Sequence, residues 1–363
     1  MGNRPGAMET VAIDAAFWHS RKVLVTGHTG FKGSWLTLWL QQLGAQVVGY
    51  ALEPPTRPSL FETARVKESI VSVTGDVRDL DRLSAVVVEH RPEIVFHLAA
   101  QAIVREGYSD PVSTFSVNVL GTVHVLEALR RAGCARVIVN VTSDKCYENR
   151  ERIRPYREDE PLGGFDPYSS SKACSELVTS AYRSSYLASS GTALASARAG
   201  NVIGGGDWAK DRLLPDLVRA FMQSEPAMIR YPEALRPWQH VLDPLCGYLL
   251  LAQALWHDSQ NFAEAWNFGP DESDGHQVAW LVERAVAEWG AGAAWQRGAT
   301  AHPHEANLLR LDTSKARMRL NWRARWHVEK ALYHTIAWYK AWAAGDDMRA
   351  FSLRQIAEYA ERR

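Results

Sequence analysis

Val23-Leu24-Val25-Thr26-Gly27-His28-Thr29-Gly30-Phe31-Lys32-Gly33 is the stretch whose reading decides the fold. Val23, Leu24 and Val25 form a continuous apolar run of the kind found in a strand buried on both faces. Gly27, Gly30 and Gly33 follow at three-residue spacing, and the apolar residues 34–43 read as a helix. Strand, glycine turn and helix bring free N–H groups and the positive end of a helix dipole to one point, which suits a pyrophosphate. Gly27 allows the tight turn, Gly30 a close backbone approach, and Gly33 tight packing of helix on strand. The same spacing also occurs in ordinary βα turns.

Working outward, residues 46–52, 70–74, 93–98, 136–141 and 193–198 read as further strands, with helical stretches such as 113–131 between them. This alternation predicts an α/β fold, a Rossmann-type doubly wound parallel sheet. The second strand ends at Tyr50-Ala51-Leu52, with Glu53 one place late and Arg57 the nearest arginine, so the motif leaves NAD and NADP both open. Asp76, after the third strand, reads either as an acceptor for an adenine amino group or as a helix N-cap. Leu98, Ala99, Ala100 and Gln101 close the fourth strand with residues small enough to lie against a flat ligand. His97 reads as structural, and the buried Asn118 as a bridge between two strands.

A chain of 363 residues is long for one core and suits a large α/β domain with an appended lobe. Its formal charge is zero, which gives no basic excess for a nucleic-acid partner. The longest apolar stretch, 245–256, is too short to span a membrane. Cys134, Cys146, Cys174 and Cys246 are scattered, with no metal-ligand spacing, and suit a reducing cytoplasm. The fourteen tryptophans have no functional reading.

The chemistry gathers at two places. Thr142-Ser143-Asp144-Lys145 ends the fifth strand at the edge where open α/β sheets bind ligands. Asp166-Pro167-Tyr168-Ser169-Ser170-Ser171-Lys172 combines a good N-cap with a good first helical residue. Tyr168 and Lys172 then share one helix face, and the lysine cation is expected to lower the pKa of the phenol. Downstream, Gly204, Gly205 and Gly206 mark a loop close to ligand or a bare linker. Arg212 and Arg236 are each followed by apolar or aromatic residues, and guanidinium groups suit a diphosphate.

On these residues the chain resembles the extended short-chain dehydrogenase/reductases that act on nucleotide sugars, from about Lys22 to the Leu311-Asp312-Thr313-Ser314-Lys315 segment. Within them, Gly27-His28-Thr29-Gly30-Phe31-Lys32-Gly33-Ser34-Trp35-Leu36 and Thr142-Ser143-Asp144-Lys145-Cys146-Tyr147-Glu148-Asn149 are similar to the dehydratases. The resemblance implies a bound NAD regenerated each turnover, held by Gly27 to Gly33, Asp76, Val77, Leu98 to Gln101, Tyr168 and Lys172. It implies Tyr168 as base at the sugar 4-hydroxyl, Lys172 as its cationic partner, Ser143 on the 4-oxygen and Asp144 as acid. Lys145 stands where siblings carry a glutamate base at C5, and His28 and Lys32 replace smaller or apolar residues, so the bulk of His28 is expected to weaken the grip on the pyrophosphate. Asn201, Arg212, Arg236 and Glu305 are implied on the nucleotide-sugar side.

The first 16 residues are polar and mixed and read as a loose leader. By the same resemblance, 17–202 is the NAD-binding domain with a returning segment at about 238–269. Residues 203–363 are mainly a smaller substrate-binding lobe, and the chain is a homodimer. A sibling epimerase, a dehydratase for another nucleotide, and an idle NAD-binding regulator are the alternatives. The retained Asp144 speaks against the first, and the complete Ser143, Tyr168 and Lys172 set against the last.

Overall fold

The computed structural model describes residues 13–298 and 308–361. β1 (Lys22–Thr26), β2 (Gln46–Ala51) and β3 (Val71–Thr74) run to one side of a seven-stranded sheet. β4 (Ile94–His97), β5 (Val137–Val141), β6 (Ala193–Ala199) and the strand Ala265–Phe268 run to the other. Every pairing in this sheet is parallel. β1 pairs with both β2 and β4, which sets Thr26 between Tyr50 and His97. The strand order therefore reverses between β1 and β4, and a crevice opens at their C-terminal ends. β4, β5 and β6 are buried at every position, as continuous apolar or small-residue runs require when helices cover both faces.

The helix expected over 113–131 is a longer composite. It runs as Pro111–Phe115, a π-helical turn Ser116–Leu120, and Gly121–Ala132. This run exceeds the stretch 245–256 in length, and among the described residues it alone is long and apolar enough to cross a membrane. Only 44% of its most apolar window is buried, so apolar residues remain on the surface. Asn118 lies in the π-turn and does not bridge two strands. Its carboxamide takes the Gln101 amide at 2.8 Å, returns a bond to the Gln101 carbonyl and donates to Ser171 Oγ at 2.8 Å. The wider turn thus joins the segment after β4 to the helix Pro167–Tyr182.

The tryptophans acquire a structural account. Trp35 and Trp39 of the helix Phe31–Gln42 are buried with Trp322, Trp326 and Trp338 in one core. The C-terminal helices Val328–Ala343 and Met348–Ala360 complete it, with Tyr359 edge-on to Trp39 at 5.6 Å. Ile336 and Trp338 of the tail are buried in this core, while Tyr333 is exposed. Gly205 is part of this packing: a Cβ there would lie 2.0 Å from the Trp338 ring. Gly206, at φ +80°, abuts Leu60. The three-glycine run is thus no bare linker: it is a close approach of backbone to core side chains.

The same C-terminal packing buries Asp243. One carboxylate oxygen accepts from Arg325 N and from the Tyr359 hydroxyl at 2.7 Å each, and the other has no partner among the described residues. Burial pushes its carboxyl from 3.8 up to about 7. Between those values the folded chain keeps a proton that the unfolded chain has released, so this group costs stability as pH rises, by about 4 kcal/mol above pH 7. Asp243→Asn keeps the acceptor and removes the ionisation. Urea unfolding at pH 5 and pH 8 is expected to show the variant losing less stability across that interval than the wild type; equal losses contradict this.

Candidate active site

Two loops meet at the crevice. Gly27, at φ +77°, is so close to the segment after β4 that a Cβ would lie 2.7 Å from Ala99 N. A Cβ on Gly33 would lie 2.1 Å from the Gly27 carbonyl oxygen. Only glycine fits either place, and the result is a flat cradle with the N-terminus of the helix Phe31–Gln42 behind it. Gly30 is the N-cap and no side chain caps that helix, so its first N–H groups are available to an anion. Thr29 Oγ1 bonds the Leu52 carbonyl, and Leu98, Ala99, Ala100 and Gln101 line the crevice half-buried. The cradle fits a dinucleotide pyrophosphate.

His28 does not narrow that cradle. Its ring is fully buried beneath the turn, bonded to Ser72 Oγ at 2.8 Å and edge-on to Phe61. It fills the space over Gly49, where a Cβ would lie 2.3 Å from the ring. The steric ground for weak pyrophosphate binding is therefore removed. Asp76 is not a helix cap either: Asp79 caps Leu80–His90. The Asp76 carboxylate pairs with Arg78 at 2.6 Å, and that bond holds it below the usual carboxylate range. Val77 is buried against Gly121, and His97 is tied to Thr26 at 2.7 Å as a structural residue.

Ser143 caps a 3-10 turn, Asp144–Cys146, at the end of β5. Its hydroxyl donates to Asp144 Oδ1 at 3.0 Å and lies in hydrogen-bond contact with the Tyr168 phenol. Asp166 caps the helix Pro167–Tyr182 through Ser169 N, which puts Tyr168 in the first turn and Lys172 on the same buried face. The two loops and the helix thus bring Ser143, Asp144, Tyr168 and Lys172 together. Lys145 turns toward a neighbouring pocket lined by Tyr147, Asn149, Asp166 and Ser169.

The electrostatics differ from expectation at the phenol. Burial pushes Tyr168 up to about 12, outweighing Ser143 and Arg212, which act to lower it. Lys172 is itself pushed down to about 8 by burial. It makes no hydrogen bond or ion pair among the described residues, although it is 5% exposed. A buried ammonium without an acceptor suits a ligand hydroxyl. Asp144 is raised by burial, against the pull of Lys145, Ser143 and Lys32, so its proton is retained more readily. Lys32, in the glycine segment, is lowered to about 8 by desolvation and by Arg212 and Lys172.

Arg212 joins this group, paired with Asp207 at 2.9 Å and close enough to act on Tyr168. Asn201 follows β6, and Gln239 N bonds its carbonyl at 3.1 Å, while Arg236 lies in the strand Leu235–Pro237, paired antiparallel with Gly275–Gln277 outside the seven-stranded sheet. Glu305 falls outside the described residues. Gly200 was not singled out as a site residue, yet a Cβ there would lie 2.7 Å from Asp144 Oδ2. No local signal marks it, because the constraint comes from another loop. Among the described residues, no group of three His, Cys, Asp or Glu side chains could hold a metal.

The parallel sheet, the glycine cradle and the Ser–Tyr–Lys set define an extended short-chain dehydrogenase/reductase. Within that class the chain belongs to the family of GDP-mannose 4,6 dehydratase, whose family model matches residues 24–335. It is 52% identical over 352 residues to CDP-glucose 4,6-dehydratase of Salmonella typhimurium, covering 96% of this chain and 98% of that one. A solved UDP-glucose 4-epimerase of Thermus thermophilus, in complex with NAD, is 27% identical at a TM-score of 0.76, covering 88% of this chain and 99% of that one. The dTDP-glucose 4,6-dehydratase of Bacillus anthracis shares the fold at 20% identity and a TM-score of 0.72, covering 88% of this chain and 97% of that one.

Proposed function

We propose that this chain is an NAD-dependent hydro-lyase that converts CDP-D-glucose to CDP-4-keto-6-deoxy-D-glucose and water. The observation that carries the reading is the near full-length 52% identity to a CDP-glucose 4,6-dehydratase, together with a raised, buried Asp144 beside Tyr168. An epimerase has no leaving hydroxyl to protonate and no need of such an acid. NAD bound there would supply the hydride acceptor for C4 and the hydride donor for C6. Residues 17–202 with the returning segment hold it, the cradle Gly27 to Gly33 taking the pyrophosphate and Lys172 a ribose hydroxyl. Residues 203–363 mainly hold the sugar nucleotide, with Asn201, Arg212 and Arg236 toward its diphosphate.

Tyr168 takes the proton of the sugar 4-hydroxyl, and Ser143 bonds the 4-oxygen and steadies the developing carbonyl. The 4-keto group acidifies the C5 proton, which Lys145 removes and hands back to C5 as C6 is reduced. Asp144 gives its proton to the C6 hydroxyl as it leaves as water, a task that a carboxyl raised by burial performs better than an ordinary one. The product feeds deoxysugar biosynthesis, as in O-antigen or lipopolysaccharide assembly, and the four free cysteines suit the cytoplasm where that chemistry runs.

Incubation with NAD and CDP-, dTDP-, UDP- and GDP-glucose in parallel tests this reading. Loss of one water from CDP-glucose alone, with no net reduction of NAD, is expected. Loss from another nucleotide discards the specificity, and no product from any discards the activity.

A homodimer is supported by apolar residues left on one surface. Val112, Phe115 and Leu120 of the composite helix are exposed, as are Leu177 and Tyr186 of the neighbouring Tyr168 helix and its continuation. Such a patch suits burial against a second copy. Leu177→Glu is expected to weaken dimerisation by about 10²-fold, read as monomer mass by light scattering, because a charge would be buried at the patch centre. A variant that stays dimeric contradicts this surface.

A further inference from the structure

Tyr168, Lys172 and Glu176 stand at four-residue intervals on one buried face of the helix Pro167–Tyr182. The first two belong to the proposed chemistry, and Glu176 does not. Its carboxylate is 4% exposed and takes four donors. Arg198 Nε and Nη2 bind its two oxygens at 2.9 Å each. Thr142 Oγ1 donates to one oxygen at 2.5 Å and Ser196 Oγ to the other at 2.6 Å. That fills the acceptor capacity of a carboxylate. Burial alone would raise this carboxyl, but the Arg198 charge and the hydroxyl donors outweigh it and hold the group ionised.

The remaining arm of Arg198 reaches the Tyr147 hydroxyl at 2.7 Å, and Tyr147 in turn donates to Asn267 at 2.7 Å. Thr142 immediately precedes Ser143, and Tyr147 immediately follows the turn Asp144–Cys146. One ion pair therefore grips the candidate catalytic turn at both ends and fastens it to the helix that carries Tyr168 and Lys172. A buried pair contributes little net stability compared with an apolar pair of the same shape. Its geometric effect is larger, since reacting groups displaced by about 1 Å can lose about 10²-fold in rate.

We propose that Glu176 is a positioning residue that sets the Ser143–Asp144–Lys145 turn against the Tyr168–Lys172 face. The activity part of the inference rests on the dehydratase reading, and the structural part does not.

Two variants of the full chain test it. Glu176→Gln removes the charge, and Thr142→Val removes one grip while leaving the ion pair. In both, amide hydrogen exchange over 142–148 is expected to quicken by about 10-fold or more while β1 and β2 keep their protection. kcat is expected to fall by about 10- to 100-fold with KM for the sugar nucleotide little changed.

Unchanged exchange over 142–148 in a folded Glu176→Gln, or a kcat equal to wild type, overturns the proposal. If Glu176→Gln does not fold, Thr142→Val decides: wild-type exchange and wild-type kcat overturn it, and the paired losses support it. Absence of turnover in the wild type overturns the dehydratase reading, and the exchange arm still judges the clamp.

Discussion

Tyr168→Phe is expected to lower kcat for dehydration of CDP-glucose by about 10²- to 10⁴-fold, the range of a general base removed from a preformed site. The substitution keeps the ring that packs at the start of the helix Pro167–Tyr182 and removes only the oxygen. NAD binding, measured by calorimetry, should stay close to wild type, because the cradle from Gly27 to Gly33 is untouched. The size of the loss follows from burial. Burial keeps water and exposed side chains out of the crevice, so none can stand in for the phenol; burial also pushes the phenol up to about 12, and a cation beside it, Lys172 or a bound oxidised nicotinamide, would favour the phenolate that acts as base. A Phe variant within tenfold of wild type contradicts the role given to Tyr168.

Asp144→Asn is expected to cost about 10²- to 10³-fold in loss of water, within the range of a removed general acid. Oxidation at C4 should persist, since Ser143, Tyr168 and Lys172 are intact, and a single-turnover experiment should therefore show reduction of NAD without dehydrated product. The asparagine keeps an acceptor for the Ser143 hydroxyl, which bonds Asp144 Oδ1 at 3.0 Å. Gly200 makes the site exacting, because it leaves room for the second oxygen and no more. Equal loss of oxidation and of water release would show that Asp144 acts on the first step instead.

What the sequence reveals here is whatever depends on neighbours in the chain. The glycine turn, the Asp166–Pro167 start of the Tyr168 helix and the pairing of Tyr168 with Lys172 on one face are all fixed by spacing, and the structure has them. The rest depends on contacts between distant segments. Spacing places a cation near a phenol, but burial outweighs it and drives Tyr168 up and Lys172 down. His28 reads as bulk in the cradle until Ser72 and Phe61 are seen to hold its ring beneath it. Gly204 to Gly206 read as a ligand loop or a bare linker until Trp338, more than a hundred residues away, is seen to occupy the space beside Gly205. Glu176 carries no motif signal in this reading, because its partners Thr142, Ser196 and Arg198 come from β5 and β6 and their ends.

The central claim is that the hydride taken from C4 returns to C6 of the same sugar. CDP-glucose carrying deuterium at C4 tests it directly, with the product read by mass and by proton NMR. The account predicts a product that has lost one water, with the deuterium at C6 and no net reduced cofactor. Deuterium washed into solvent, left on released cofactor, or retained at C4 of an epimer would contradict it.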